Sequence, residues 1–98
     1  MAAPALDVVV RPNPRAVFRE LTGDAGGVVL HLDTAAYHGV NAFGAYVWGL
    51  LADGPTFAAL LETIRSEVDG APEDLEGEVG GFLSDLHERG LVVYGGDT

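Results

Sequence analysis

The stretch HLDTAAYHGVNAFGAYVWGLL, His31 to Leu51, changes its hydrophobic rhythm halfway along. Up to Gly39 the residues suit a strand hairpin. From Val40 onward Val40, Phe43, Val47, Leu50 and Leu51 recur at the three- and four-residue intervals of a helix face. Asn41 stands at the junction, where its side-chain oxygen can accept an orphan N–H of the first helical turn. A hairpin fused this abruptly to a helix is the feature that the rest of the chain has to accommodate.

Upstream, Ala16–Leu21 reads as a strand. "TGDAGG" supplies turn chemistry, and Val28–Leu32 (VVLHL) is apolar and partly β-branched. If the next tight turn centres on Thr34 and Ala35, Leu32 faces Tyr37 and His31 faces His38. Val28, Leu30, Leu32 and Tyr37 then share the core side, leaving Val29, His31, Asp33, Ala36 and His38 opposite. Three strands do not close a barrel, so Ala36 to Gly39 is expected as a free edge. Residues 1–15, with Pro4, Pro12 and Pro14, read as a flexible arm bearing at most a short edge strand at Val8–Val10.

Downstream, "ADGP" stops the first helix, and Thr56 caps a second with Phe57, Leu60, Leu61, Ile64 and Val68 as its stripe. After "DGAP" a third helix is expected from about Pro72, with Leu75, Val79, Phe82, Leu83 and Leu86 apolar and Gly90 as its stop. "LVVY", Leu91 to Tyr94, suits a closing strand. The expected fold is α+β: an N-terminal three-stranded antiparallel sheet followed by three helices, a winged helix-turn-helix-like layout. The domain occupies residues 16–94, and residues 95–98 form a tail.

The chain has 98 residues, no cysteine and a formal charge of −10 from fifteen acids against five arginines. Such a field repels nucleic acid and anionic lipid. The helix from Pro72 to Arg89, the one a winged helix would place in a DNA groove, carries six acids and one arginine. Without cysteine there are no disulfides, thiolate nucleophiles or cysteine zinc sites. His31 and His38 lack a clear third metal ligand. Ser66 and Ser84 fall on helices without a nucleophile elbow, and "GDAGG" lacks the lysine of a phosphate loop. No catalysis, metal or cofactor is expected. The chain reads as soluble and cytoplasmic, since it has neither a long apolar run nor a signal-peptide pattern.

Gly77, Gly80 and Gly81 on the third helix each cost about 1 kcal/mol against alanine. They can serve close packing, or leave a shallow channel for another backbone.

The run from Val28 to Val92 resembles the PqqD-like family, the recognition elements that bind leader peptides of ribosomally made precursors. The resemblance rests on Tyr37, Val40–Asn41, Gly44, Val47–Trp48, Leu50–Leu51, "DGPT" and "FLSDLHERGLV". It implies a leader peptide added as a strand beside Ala36–Gly39, in a groove against the third helix. Within that groove the expected contacts are Asp33, Ala36, Tyr37, His38 and Gly39 from the hairpin. From the helix they are Glu76, Val79, Gly80, Leu83 and His87, with Asp85 as a further charge; Phe82 is on the flank not chosen. A discrete chain of this size is similar to the leader-binding proteins of lasso-peptide pathways, which act with a separate leader peptidase and a cyclase. PqqD proper, serving a radical-SAM enzyme, and an acidic winged-helix protein-interaction adaptor are the alternatives.

Overall fold

The computed structural model describes residues 4–21 and 26–95. In chain order the elements are β1 (Val10–Pro12), β2 (Ala16–Glu20), β3 (Gly27–His31), β4 (Tyr37–Val40), α1 (Ala42–Leu50), α2 (Phe57–Glu67), α3 (Leu75–Glu88) and β5 (Val92–Tyr94); a single 3-10 turn, Leu51–Asp53, follows α1. The protein is α+β with three helices. Its strands form two sheets rather than one: β2-β3-β4, and β1 paired with β5. The turn at residues 22–25 and the tail at 96–98 lie outside the described residues, as do residues 1–3.

The helices start where capping chemistry allows. Asn41 Oδ1 accepts from the Gly44 N–H at 2.8 Å, and Thr56 Oγ1 from the Ala59 N–H at 3.1 Å. The third helix begins at Leu75 rather than Pro72, because Asp74 is the cap and its carboxylate accepts from the Gly77 N–H at 3.1 Å. Phe57, Leu60, Leu61 and Ile64 of α2 and Leu75, Val79, Leu83 and Leu86 of α3 are buried. Each such side chain stabilises the fold by about 1.5–3 kcal/mol.

The segment read as an arm is stitched into the domain from Leu6 onward. Leu6 accepts from the Ala58 N–H, Val8 from the Phe57 N–H, and the Val10 N–H donates to Pro55, all at 2.9 Å. Val10 is fully buried opposite Tyr94. Pro12 fits because β1 is a short edge strand, and Pro14 lies in the turn that follows it.

Two details of the β3–β4 hairpin differ from expectation. The register pairs Leu30 with Tyr37 and Val29 with His38, a shift of two residues. A two-residue turn at Thr34–Ala35, of type I′ or II′, would need positive φ at Thr34, which its β-branched side chain resists. The chain instead makes a four-residue loop, Leu32 to Ala35, in which only Ala35 has positive φ (62°). The facing is also inverted: Val29 and His31 are buried, whereas Leu32 and Tyr37 are 50% and 67% exposed. The more apolar set thus lies on the outer face. A histidine tolerates the inner one because its ring nitrogen is hydrogen-bonded there.

The helix glycines divide by what surrounds them. A Cβ at Gly77 would run into the Asp74 carboxylate, so this glycine makes room for the cap; Gly81 faces open space. In urea unfolding, Gly81→Ala should therefore raise stability by about 0.5–1 kcal/mol. Gly77→Ala should gain nothing or lose, because the displaced cap costs about 1 kcal/mol.

Candidate functional site

The backbone of β3 decides which groups β4 offers to solvent. Leu32 N–H donates to the Arg15 carbonyl and Leu21 N–H to that of Gly26, while His31 N–H donates to Ala36, each at 2.8 Å. Bonded pairs alternate along an antiparallel ladder, so Val28, Leu30 and Leu32 bond toward β2, and Gly27, Val29 and His31 toward β4. In the observed register His38 and Val40 consequently turn their backbone to β3. Tyr37 and Gly39 direct theirs to the open edge, where no strand pairs among the described residues.

One flank of α3 stands beside that edge. The rings of His38 and Phe82 lie 6.2 Å apart at 55°. Gly44 of α1 gives Phe82 its place, since a Cβ there would sit 3.3 Å from the Phe82 ring. Phe82, Asp85 and Arg89 follow one line at three- and four-residue steps. Burial pushes the His38 imidazole below its ordinary value, the Arg89 guanidinium pushes it the same way, and the Asp85 carboxylate opposes both. An open strand edge flanked by an aromatic ring, a carboxylate and a guanidinium can hold an extended peptide: the ladder takes its backbone, and the wall takes alternate side chains.

The model of the family described as coenzyme PQQ synthesis protein D (PqqD) matches residues 26–92. The chain belongs to the PqqD family. Among solved structures, TbiB1 in complex with the TbiA(beta) leader peptide is similar to it with a TM-score of 0.71 and 26% identity, over 90% of this chain and 98% of that one. Lasso peptide synthetase B1 complexed with the leader peptide follows at 0.67 and 24%, over 86% and 96%, a likeness of fold alone. Comparison with curated protein sequences gives no match.

Several residues expected at the site of this PqqD-family chain stand elsewhere. Val79, Gly80 and Leu83 are buried, and the α3 side chain in ring contact with β4 is Phe82, on the adjacent line. Stripe residues one step apart on a helix differ by about 100°, and spacing alone does not say which of two adjacent lines meets the sheet. His87 stacks on Tyr94 of β5, centroids 4.0 Å apart and nearly parallel. Glu76 is exposed in the first turn of α3, where negative charge suits the helix N-terminus. Asp33 is held by Arg15, whose Nη2 donates to Oδ1 at 2.8 Å and whose Nε donates to both carboxylate oxygens. That hydrogen bond is the main reason its carboxyl is held below the usual range. Ala36 spends its backbone inside the loop, its N–H on Thr34 Oγ1 and its carbonyl on His31. Tyr37, His38, Gly39 and Asp85 remain at the edge and its wall, joined by Phe82 and Arg89. The signal for Phe82 was the pairing of a bulky ring with a glycine, Gly44, on another helix; Arg89 had none.

The charges around His38 make a titration prediction. Its midpoint, followed by NMR of the ring protons, should lie below the ordinary 6.5, rise in Arg89→Ala and fall further in Asp85→Asn. The unfolded chain binds this proton more readily, so its stabilising effect is complete above the ordinary value and is lost as pH falls through the depressed one.

Proposed function

We propose that this protein binds the leader peptide of a ribosomally synthesised precursor, as a strand added to the open edge of β4 at Tyr37 and Gly39. The observation that carries this reading is that edge, unpaired among the described residues and flanked by Phe82, Asp85 and Arg89. The similarity to TbiB1, solved with a leader peptide, supports it. Ladder bonds from Tyr37 and Gly39 contribute about 0.5–1.5 kcal/mol each and are blind to sequence. An apolar leader side chain buried against Phe82 contributes roughly 1–3 kcal/mol and selects. A basic leader residue beside exposed Asp85 contributes at most about 1 kcal/mol.

On this reading the chain supplies recognition rather than chemistry, and hands the peptide to a separate leader peptidase and cyclase in the cytoplasm, as in lasso-peptide maturation. The family's description names coenzyme PQQ synthesis, and the second reading is a peptide chaperone for a radical-SAM enzyme. In both readings the partner is peptide rather than nucleic acid, since α3 and its approach are strongly acidic.

Fluorescence anisotropy with a labelled synthetic leader from the neighbouring precursor gene tests the edge. Gly39→Pro removes an outward N–H where a Cβ meets nothing; it should fold normally and bind about tenfold more weakly or worse. His38→Pro breaks a ladder bond to β3 and should lower stability instead. Full binding by a folded Gly39→Pro variant would move the peptide off this edge. Saturable binding of the wild type with a leader-dependent cyclase or peptidase step would favour the lasso reading over the radical-SAM one.

A further inference from the structure

His31 is 8% exposed, faces the core and is used by nothing described above. Its Nδ1 accepts from the Asp33 N–H at 3.1 Å and, more weakly, from the Thr34 N–H at 3.4 Å. An Nδ1 that accepts carries no proton, so the ring is the tautomer with its proton on Nε2. The main chain of the same residue closes the loop: its N–H donates to Ala36 and its carbonyl accepts from Ala35 at 2.9 Å. The loop contains Ala35 at a φ of 62°, a left-handed conformation that L-residues other than glycine rarely adopt. Such a conformation persists only where its surroundings over-determine it.

The other edge of the ring rests at the end of α3. A Cβ on Gly90 would lie 3.6 Å from His31 Cδ2 and 3.8 Å from Nε2, so the ring covers that glycine. Gly90 has a φ of +74° and ends the helix. Gly90 is itself anchored by Asn13, whose Nδ2 donates to the Gly90 carbonyl at 2.8 Å and whose N–H donates to that of Leu91 at 3.0 Å. The ring thus lies between an anchored glycine and the loop at which its acceptor is aimed. The loop leads directly into Tyr37, and Gly90 directly follows Arg89, so one side chain spans the roots of both walls of the groove.

We infer that His31 is a positioning residue for peptide binding: its Nδ1, held in place against Gly90, fixes the loop that delivers the edge of β4 to the Phe82–Arg89 flank of α3. The inference rests on the leader-binding reading for its consequence, though not for its geometry. Asparagine can place Oδ1 where Nδ1 stands; phenylalanine fills the space without an acceptor.

The experiment compares wild type, His31→Asn and His31→Phe for affinity toward the labelled leader, urea stability, and amide shifts at Tyr37 and Gly39. His31→Phe should bind about tenfold more weakly or worse, with both amides displaced. His31→Asn should stay within about threefold of wild type, its edge amides near their original positions, whatever its stability, because it keeps the acceptor. Equal affinity in wild type and a folded His31→Phe variant overturns the inference, and so does a His31→Asn variant as weak as His31→Phe. Should His31→Phe not fold, long-range proton–nitrogen spectra of the wild type decide: a bare Nδ1 with a protonated Nε2 supports the inference, and a protonated Nδ1 overturns it. A wild type that binds no leader would defeat the functional reading, while the Tyr37 and Gly39 amides in the two variants would still report whether Nδ1 fixes the edge.

Discussion

Each residue of a central antiparallel strand gives its backbone to one neighbour and its side chain to one face, and in β3 these two assignments are locked together. Gly27, Val29 and His31 bond toward β4 and face the core; Val28 and Leu30 bond toward β2 and face out. Once Val29 is buried against the helices, the groups left at the far edge of β4 are fixed as those of Tyr37 and Gly39. A slip of one residue would bury Leu30 and turn both the edge and its flanking side chains over. The character of the open edge of β4 is thus a consequence of how the neighbouring strand packs on the core.

The charge distribution shows how an acidic chain keeps a selective site. Arg15 and Asp33 satisfy each other at the hairpin loop, both exposed, so that pair adds specificity of loop geometry more than stability. Arg89 and Asp85 stand near His38, each acting on its charge. The site therefore offers charges of both signs within a chain whose overall field favours basic or neutral partners. Burying His38 beside Phe82 keeps its ring neutral over more of the acid range.

Glycine does three separate jobs around this site. Gly44 lets the Phe82 ring approach α1, Gly77 admits the carboxylate that caps α3, and Gly90 takes the left-handed conformation that ends α3 beneath His31. Gly81 meets none of these demands. A channel along α3 made by missing side chains is not what the glycines build; Gly80 is buried, and the wall beside β4 is bulky.

Much of the fold was legible in residue order because its signals are local. Asn41 and Thr56 cap helices by contacts three residues away, the apolar stripes of α2 and α3 repeat at helical spacing, and the run from Val28 to Val92 carries a family's pattern. What tertiary structure alone decided is everything set by distant partners. These are the pairing of β1 with β5, the face of β3 that turns inward, and the line of α3 that meets β4. Val29 and Leu30 are chemically equivalent apolar residues, and only the helices packed on one side make them different. Likewise no spacing rule distinguishes Phe82 from Leu83, which are adjacent on one helix, until Gly44 opens a place for one ring and the core closes over the other side chain.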